Sequence, residues 1–173
     1  MPHILIVEDE ATMSWALSEG LADDGFTIDT FRTAEEAWRW LQGSRSDLVI
    51  SDLRLPGMSG LELARKLRRG RHAQPVIIVT AYGSSETLRD LRSAGVYECL
   101  PKPFRMEHLR QAVHRALETA LAARSARRTR TARATKASNS TRIVPASNAA
   151  GATRRSTTRP AASRATRSVR RAA

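Results

Sequence analysis

The sequence of 173 residues predicts an α/β fold, a doubly wound five-stranded parallel sheet with helices on both faces. Two patterns support this prediction. Short unbroken apolar runs, which suit strands covered on both faces, alternate five times with segments whose apolar residues recur at helical spacing. Parallel strands need long crossovers, and a helix after each strand supplies them.

The first strand is predicted at Ile4–Val7, where four apolar residues follow one another. Leu17 and Leu21 lie four residues apart on one face of the helix that follows, and we expect Gly25 to end it. The second strand is predicted at Phe26–Phe31, directly after that glycine.

Two capping boxes mark the starts of the next two helices. Thr33 stands three residues before Glu36, and Ser59 stands three residues before Glu62. In this spacing each side chain can bond the backbone N–H of the other residue. Between the two helices, Leu48–Asp52 is predicted as the third strand because it is apolar up to its polar end.

The fourth strand is predicted at Val76–Val79, and the fourth helix at Ser84–Ala94, which Gly95 ends. Val96–Leu100 is predicted as the fifth strand. The last helix has the clearest apolar stripe, which consists of Leu109, Ala112, Val113, Ala116, Leu117, Ala120 and Leu121.

The charge of the chain changes abruptly after residue 123. Residues 1–123 hold 15 basic and 17 acidic residues, whereas residues 124–173 hold 14 basic and none acidic, which together give the net charge of +12. The second segment consists mainly of Arg, Ala, Ser and Thr, which bury too little apolar area to offset the entropy of ordering. We therefore predict one domain at residues 1–122 and a disordered basic tail at residues 123–173, with the last helix running a turn or two into the tail.

The cysteine count and the N-terminus indicate the cellular setting. Cys99 is the single cysteine of the sequence, so an internal disulfide and a cysteine-rich metal site are excluded. The apolar run near the N-terminus is too short for a signal peptide or a membrane span. We therefore expect a cytoplasmic protein.

Polar residues collect where the predicted strands end, and these residues are Glu8, Asp9, Asp52, Thr80 and Lys102. Because the carboxyl ends of parallel strands share one edge of a sheet, we expect these five side chains in one shallow pocket. Three close carboxylates repel one another unless a cation lies among them, and Mg²⁺ prefers such oxygen ligands. The lysine and the threonine hydroxyl can then bind phosphoryl oxygens, with Asp52 as the nucleophile.

Each of these residues also has an ordinary structural role, such as a helix cap, a turn, a strand end or a solvated charge. Their joint position at one edge favours the functional interpretation. A dinucleotide-binding domain is disfavoured because three acids replace the glycine-rich turn that it needs after the first strand. A phosphatase with two acids two residues apart is disfavoured because the second position holds Arg54.

Four segments together resemble the receiver domains of two-component response regulators. Similar to the family's motifs are ILIVEDE at 4–10, VISDLRLPGMSG at 49–60, VIIVTAY at 76–82 and GVYECLPKPF at 95–104. They occur in the family's order, and the resemblance extends over about 120 residues of the chain. The resemblance implies a flavodoxin-like (βα)5 fold with strand order 2-1-3-4-5, as in chemotaxis regulators.

The resemblance also implies roles for the matching acids. Asp52 would accept phosphate from a sensor histidine kinase or a phosphotransfer protein. Asp9, Asp52 and the backbone carbonyl of Arg54 would bind Mg²⁺ directly, and Glu8 would assist through water.

The Lys-Pro segment of the resemblance has one unusual residue. Lys102 would pair with the phosphoryl group, Thr80 would move towards it, and the Lys102–Pro103 peptide bond would be cis. The family usually has Tyr or Phe three residues before the lysine, where this sequence has Cys99. A cysteine is a small core residue, so a packing role is favoured over redox sensing.

Two hypotheses describe the output of the predicted receiver. The simpler one is a single-domain regulator that acts through contacts with a downstream protein or as a phosphorelay intermediate. The alternative is a phosphorylation-controlled nucleic-acid binder that uses the fourteen positive charges of the tail. An inert tail, attraction to an anionic membrane surface and a shifted reading frame are further interpretations of the same composition.

Overall fold

The computed structural model describes residues 1–70, 74–81 and 83–140, with the backbone alone for residues 127, 128 and 131–140. Its strands and helices alternate along the chain. The strands are β1 (His3–Val7), β2 (Thr27–Phe31), β3 (Leu48–Asp52), β4 (Val76–Thr80) and β5 (Glu98–Pro101). The helices are α1 (Ala11–Ala22), α2 (Ala34–Gly43), α3 (Gly60–Arg69), α4 (Ser85–Ser93) and α5 (Met106–Ser140).

The five strands form one parallel sheet in the order β2-β1-β3-β4-β5, which confirms the predicted fold. Val7 of β1 pairs with Ser51 of β3, and Asp52 of β3 pairs with Val79 of β4. This register places the carboxyl ends of the central strands at nearly the same level, at one edge of the sheet.

Two apolar layers cover the two faces of the sheet. Helices α2, α3 and α4 pack against one face, where Leu5 and Val7 are fully buried. Helices α1 and α5 pack against the other face, where Ile4 and Ile6 are fully buried. Because successive residues of a strand point to opposite faces, a strand covered on both faces must be apolar throughout, as β1 is.

The fifth strand begins at Glu98, two residues later than the predicted start at Val96. Gly95 has a φ of 79°, in the left-handed region that favours glycine, and turns the chain after α4. The N–H of Tyr97 donates to the carbonyl of Val76 at 2.8 Å before the strand begins. Residues 96 and 97 therefore belong to the turn that aligns β5 with β4.

Helix α5 is longer than the apolar stripe in the sequence predicts. Its backbone is helical to Ser140, further than the turn or two into the tail that the sequence predicts. Ala and Arg are strong helix formers and can extend a helix that packing has already nucleated. Residues 141–173 of the predicted tail lie outside the described residues. Across the part of the chain that the structure covers, no helix is long and apolar enough to span a lipid bilayer.

Candidate functional site at the carboxyl edge of the sheet

Lys102 lies between two carboxylates at the carboxyl edge of the sheet. Its Nζ atom is 2.6 Å from Asp52 Oδ2 and 2.9 Å from Glu8 Oε2, so one ammonium group donates to both acids. The side chain of Glu8 is 2% exposed, that of Asp52 14% and that of Lys102 17%. The ends of β1, β3 and β5 therefore bring these three predicted site residues together in a largely buried cluster.

Burial and hydrogen bonding set the charges of this cluster. Burial raises the pKa of Glu8 above its ordinary value, although the hydrogen bond and the positive charge of Lys102 oppose the change. Burial by itself would lower the pKa of Lys102, but its hydrogen bonds to Asp52 and Glu8 outweigh burial and raise it. Lys102 therefore keeps its proton at neutral pH and supplies a fixed positive charge beside Asp52.

The loop that follows β3 folds back onto Asp52. Asp52 Oδ1 accepts a hydrogen bond from the backbone N–H of Arg54 at 2.9 Å. The N–H of Gly60, at the start of α3, donates to the carbonyl of Leu53 at 3.1 Å. A Cβ atom at position 60 would collide with the backbone carbonyl of Asp52, so this close approach requires glycine. The loop thus fixes the backbone from which the Asp52 side chain extends.

Glu35 of α2 holds the same loop from the side, a role that the sequence analysis missed. Its Oε1 atom accepts a hydrogen bond from the backbone N–H of Met58 at 2.7 Å. Gly57 has a φ of 75°, and a Cβ atom there would lie 2.5 Å from Glu35 Oε1. The only sequence signal was an acid in the first turn of α2, which is equally favourable for the helix dipole.

Thr80 lies at the end of β4 and is fully buried. Its carbonyl accepts a hydrogen bond from the backbone N–H of Lys102 at 2.7 Å, which joins the ends of β4 and β5. The Lys102–Pro103 peptide bond is cis, as the resemblance implies. The structure therefore places Thr80 beside the backbone of Lys102, next to β3.

Asp9 is the second residue after β1, and its backbone carbonyl accepts a hydrogen bond from Arg32 at 3.3 Å. Among the residues that the structure describes, no group of three or more His, Cys, Asp or Glu side chains is arranged to hold a metal ion. The structure therefore shows Glu8 and Asp52 sharing Lys102, and the assignment of Asp9 to a metal site stays a prediction. The ammonium group of Lys102 is the positive charge that lies between two of the acids, Glu8 and Asp52.

Cys99 lies in β5, paired with Ile78 of β4, and packs against the α2–α4 side of the core. It borders a cavity of about 340 Å³ between β5 and α4 whose other walls include Leu88 and Leu91. Burial raises the pKa of its thiol, which keeps the thiol protonated and weakly nucleophilic. These properties support the packing role.

Comparison with known proteins places this fold in a family. The family model described as the response regulator receiver domain matches residues 4–114. The DNA-binding transcriptional regulator NtrC of Escherichia coli K12 is 32% identical over 114 residues, which are 66% of this chain and 24% of that protein. The two-component response regulator PhoP of Pseudomonas aeruginosa is 39% identical over 106 residues, 61% of this chain and 47% of that protein. This chain thus matches about a quarter to a half of the length of these relatives.

Solved structures show the same likeness over nearly their whole length. Chemotaxis response regulator CheY4 of Vibrio cholerae is 29% identical with a TM-score of 0.63, over 67% of this chain and 98% of that chain. A CheY-like receiver domain protein of Methanospirillum hungatei is 27% identical with a TM-score of 0.67, over 69% of this chain and 96% of that chain. With the strand order and the family match at residues 4–114, these likenesses show that the chain belongs to the response-regulator receiver domain family.

Proposed function

We propose that this protein is a two-component response regulator in which Asp52 accepts a phosphoryl group from a sensor histidine kinase or a phosphotransfer protein. The observation that supports this most is the ammonium group of Lys102, 2.6 Å from Asp52 and largely buried. A carboxylate beside a fixed positive charge can approach an anionic phosphoryl group, because that charge offsets the repulsion between them. Membership of the receiver family supports the same assignment.

The proposed reaction is a displacement at phosphorus. An Asp52 carboxylate oxygen attacks the phosphorus atom of a phosphohistidine, and a P–O bond forms as the P–N bond breaks. The imidazole leaves with the electron pair of that bond and takes up a proton. Lys102 would pair with an oxygen of the transferred group, and Thr80 would move its hydroxyl towards another.

Magnesium is part of this proposal because the donor atoms at this edge suit it. Glu8 and Asp52 converge on one ammonium nitrogen, so hard carboxylate oxygens are already concentrated here. Asp9, Asp52 and the backbone carbonyl of Arg54 would hold Mg²⁺, and Glu8 would assist through water. When bound, the ion supplies positive charge beside the transferred group.

Phosphorylation by a small donor tests the site assignment. Wild-type protein incubated with Mg²⁺ and acetyl phosphate should gain the mass of one phosphoryl group, which hydroxylamine should remove because it is an acyl phosphate. Asp52→Asn should gain none. Asp47→Asn is the matched control, since Asp47 precedes the opposite end of the same strand, and it should be labelled like wild type.

Labelling of Asp52→Asn at the wild-type rate would contradict the assignment. Equal loss of labelling in both variants would also contradict it, because a general loss of structure would then explain the result. Circular dichroism of each variant separates these two causes. The cytoplasmic location and signalling through a downstream protein stay predictions.

A further inference from the structure

The second half of α5 continues beyond the part of the helix that packs against the sheet, and we call this segment the basic arm (residues 124–140). Leu117 is the last side chain of α5 in the buried core, at 7% exposure. Every described side chain beyond Ala120, at residues 121–126, 129 and 130, is exposed. The described side chains of the arm are therefore not covered by the rest of the described chain.

The arm carries positive charge and almost no apolar surface. It has no acidic residue, and its six basic residues are Arg124, Arg127, Arg128, Arg130, Arg133 and Lys136. Seventeen helical residues extend about 25 Å, so the arm holds about one positive charge per 4 Å of its axis. No residue of the arm is an apolar residue larger than alanine.

This composition excludes the usual partners of an exposed helix. A coiled coil needs large apolar residues along a repeating seam, and the arm has none. A helix that lies on a lipid surface needs a wide apolar face, which alanines alone do not provide. A polyanion is the partner that remains, because it needs only the charge.

The base of the arm is fixed at the amino edge of the sheet. Arg124 Nη1 donates to Asp47 Oδ1 at 2.7 Å, and Asp47 Oδ2 accepts from the backbone N–H of His3 at 3.0 Å. Asp47 directly precedes β3, whereas Asp52 ends that strand. A partner on the arm therefore approaches the side of the sheet opposite to Lys102 and Asp52.

The hydroxyl groups near the base of the arm are bonded within the helix. Ser125 Oγ donates to the carbonyl of Leu121 at 3.0 Å, and Thr129 Oγ1 donates to the carbonyl of Ser125 at 3.1 Å. Among the described side chains of the arm, these bonds leave the arginines to meet a ligand. Guanidinium groups match phosphate oxygens in geometry as well as in charge.

We propose that the basic arm binds duplex DNA through its phosphate backbone, without sequence preference. Duplex DNA carries one negative charge per about 1.7 Å of its axis, and its major groove accepts an α-helix. Residues 124–173 contain no aromatic side chain on which unpaired bases could stack, which disfavours single strands. The major groove of A-form RNA is deep and narrow, which disfavours duplex RNA. This inference does not rest on the proposed phosphorylation, because it uses neither Asp52 nor Lys102.

A variant of the full chain neutralises the arm and keeps its helix. It replaces Arg127, Arg128, Arg130, Arg133 and Lys136 by glutamine, a good helix former. The matched control replaces five exposed arginines of the receiver by glutamine, so that both proteins lose the same net charge. These control positions are Arg39, Arg45, Arg65, Arg69 and Arg92. Circular dichroism confirms that both variants fold.

Fluorescence anisotropy with a labelled DNA duplex, between about 50 and 200 mM salt, measures the affinity of each protein for DNA. The arm variant should bind at least about tenfold more weakly at low salt, and its slope of log affinity against log salt should be smaller by about 2 to 4. The control should bind within about twofold of the unchanged protein. Equal losses in both variants, or no loss in the arm variant, would overturn the proposal.

Three further ligands, measured at the same salt, test the class of partner. These are a single-stranded DNA and an RNA duplex of equal length, and vesicles with one third phosphatidylglycerol, roughly an anionic bacterial surface. The DNA duplex should bind the unchanged protein most tightly of the four. Tighter binding to any of the other three would overturn the assignment to duplex DNA.

Discussion

The two edges of the same sheet hold charged residues in different ways. At the carboxyl edge, Glu8 and Asp52 share Lys102, whose side chain is 17% exposed. At the amino edge, Asp47 pairs with Arg124, and these side chains are 32% and 50% exposed. Strand β3 connects the two edges, since Asp47 precedes it and Asp52 ends it.

The difference shows that burial determines what an ion pair can do. Solvent and salt weaken an exposed pair, which can hold a helix in place but contributes little energy. In a largely buried cluster the interactions are stronger, and removing one partner leaves an uncompensated charge. The same kinds of residue can therefore anchor α5 at one edge and lie beside the proposed phosphoryl acceptor at the other.

Removing the cation from each edge tests this comparison most directly. Lys102→Met should lower the free energy of unfolding by about 2 kcal/mol at neutral pH, because it leaves two acids facing each other in a buried site. Arg124→Met should lower it by less than about 1 kcal/mol, because its partner stays hydrated. Urea denaturation of both variants in metal-free buffer measures the difference. A cost for Arg124→Met equal to that of Lys102→Met would refute the argument from burial.

The contact of α2 with the loop after β3 should have an intermediate effect. Glu35→Ala removes the acceptor of the Met58 N–H and should destabilise the protein by about 1 kcal/mol, and a looser loop should also slow labelling of Asp52 by acetyl phosphate. Glu35→Gln keeps an acceptor oxygen and should restore most of both properties. Glu36→Ala, in the same first turn, controls for the helix dipole. If Glu36→Ala were labelled as slowly as Glu35→Ala, the contact between Glu35 and the loop would not explain the slower labelling.

The smallest expected effect is the pH dependence of the stability that Asp47 contributes at the amino edge. Burial by itself would raise the pKa of Asp47, but hydrogen bonds from the His3 N–H and Arg124 outweigh burial and lower the pKa below its ordinary value of 3.8. A carboxyl group with a lowered pKa stabilises the fold above that ordinary value and loses this contribution as the pH falls through the lowered one. The advantage of wild type over Asp47→Asn, below about 1 kcal/mol, should therefore be constant near neutral pH and shrink below about pH 4. Urea denaturation of both proteins at a series of pH values measures this difference in the free energy of unfolding. A difference that grows as the pH falls would contradict the prediction.

The sequence alone predicts the sheet and the residues at its carboxyl edge. Unbroken apolar runs such as Ile4–Val7 have few alternatives to a covered parallel strand. The rule that parallel strands end at one edge then locates Glu8, Asp52 and Lys102 without any knowledge of distance. The structure brings these three residues within hydrogen-bonding distance.

Features that depend on tertiary contacts or on competing tendencies are not visible in the sequence. Glu35 bonds Met58, 23 positions away, and only the packing of α2 beside the loop creates that contact. The sequence favours a metal ion as the cation among the acids and Lys102 as the partner of the phosphoryl group. Only the structure shows that the ammonium group of Lys102 bonds both Glu8 and Asp52. Beyond residue 123 the high helix propensity of Ala and Arg favours a longer α5, whereas the lack of an apolar stripe favours an earlier end. The structure shows the helix continuing to Ser140.

The contact between Gly60 and the carbonyl of Asp52 has a consequence for protein engineering. The two ends of the segment 52–60 touch, so an inserted or deleted residue there has no slack to absorb it. Chimaeras that exchange this receiver between proteins should therefore keep the segment whole, and saturation libraries should leave position 60 unchanged.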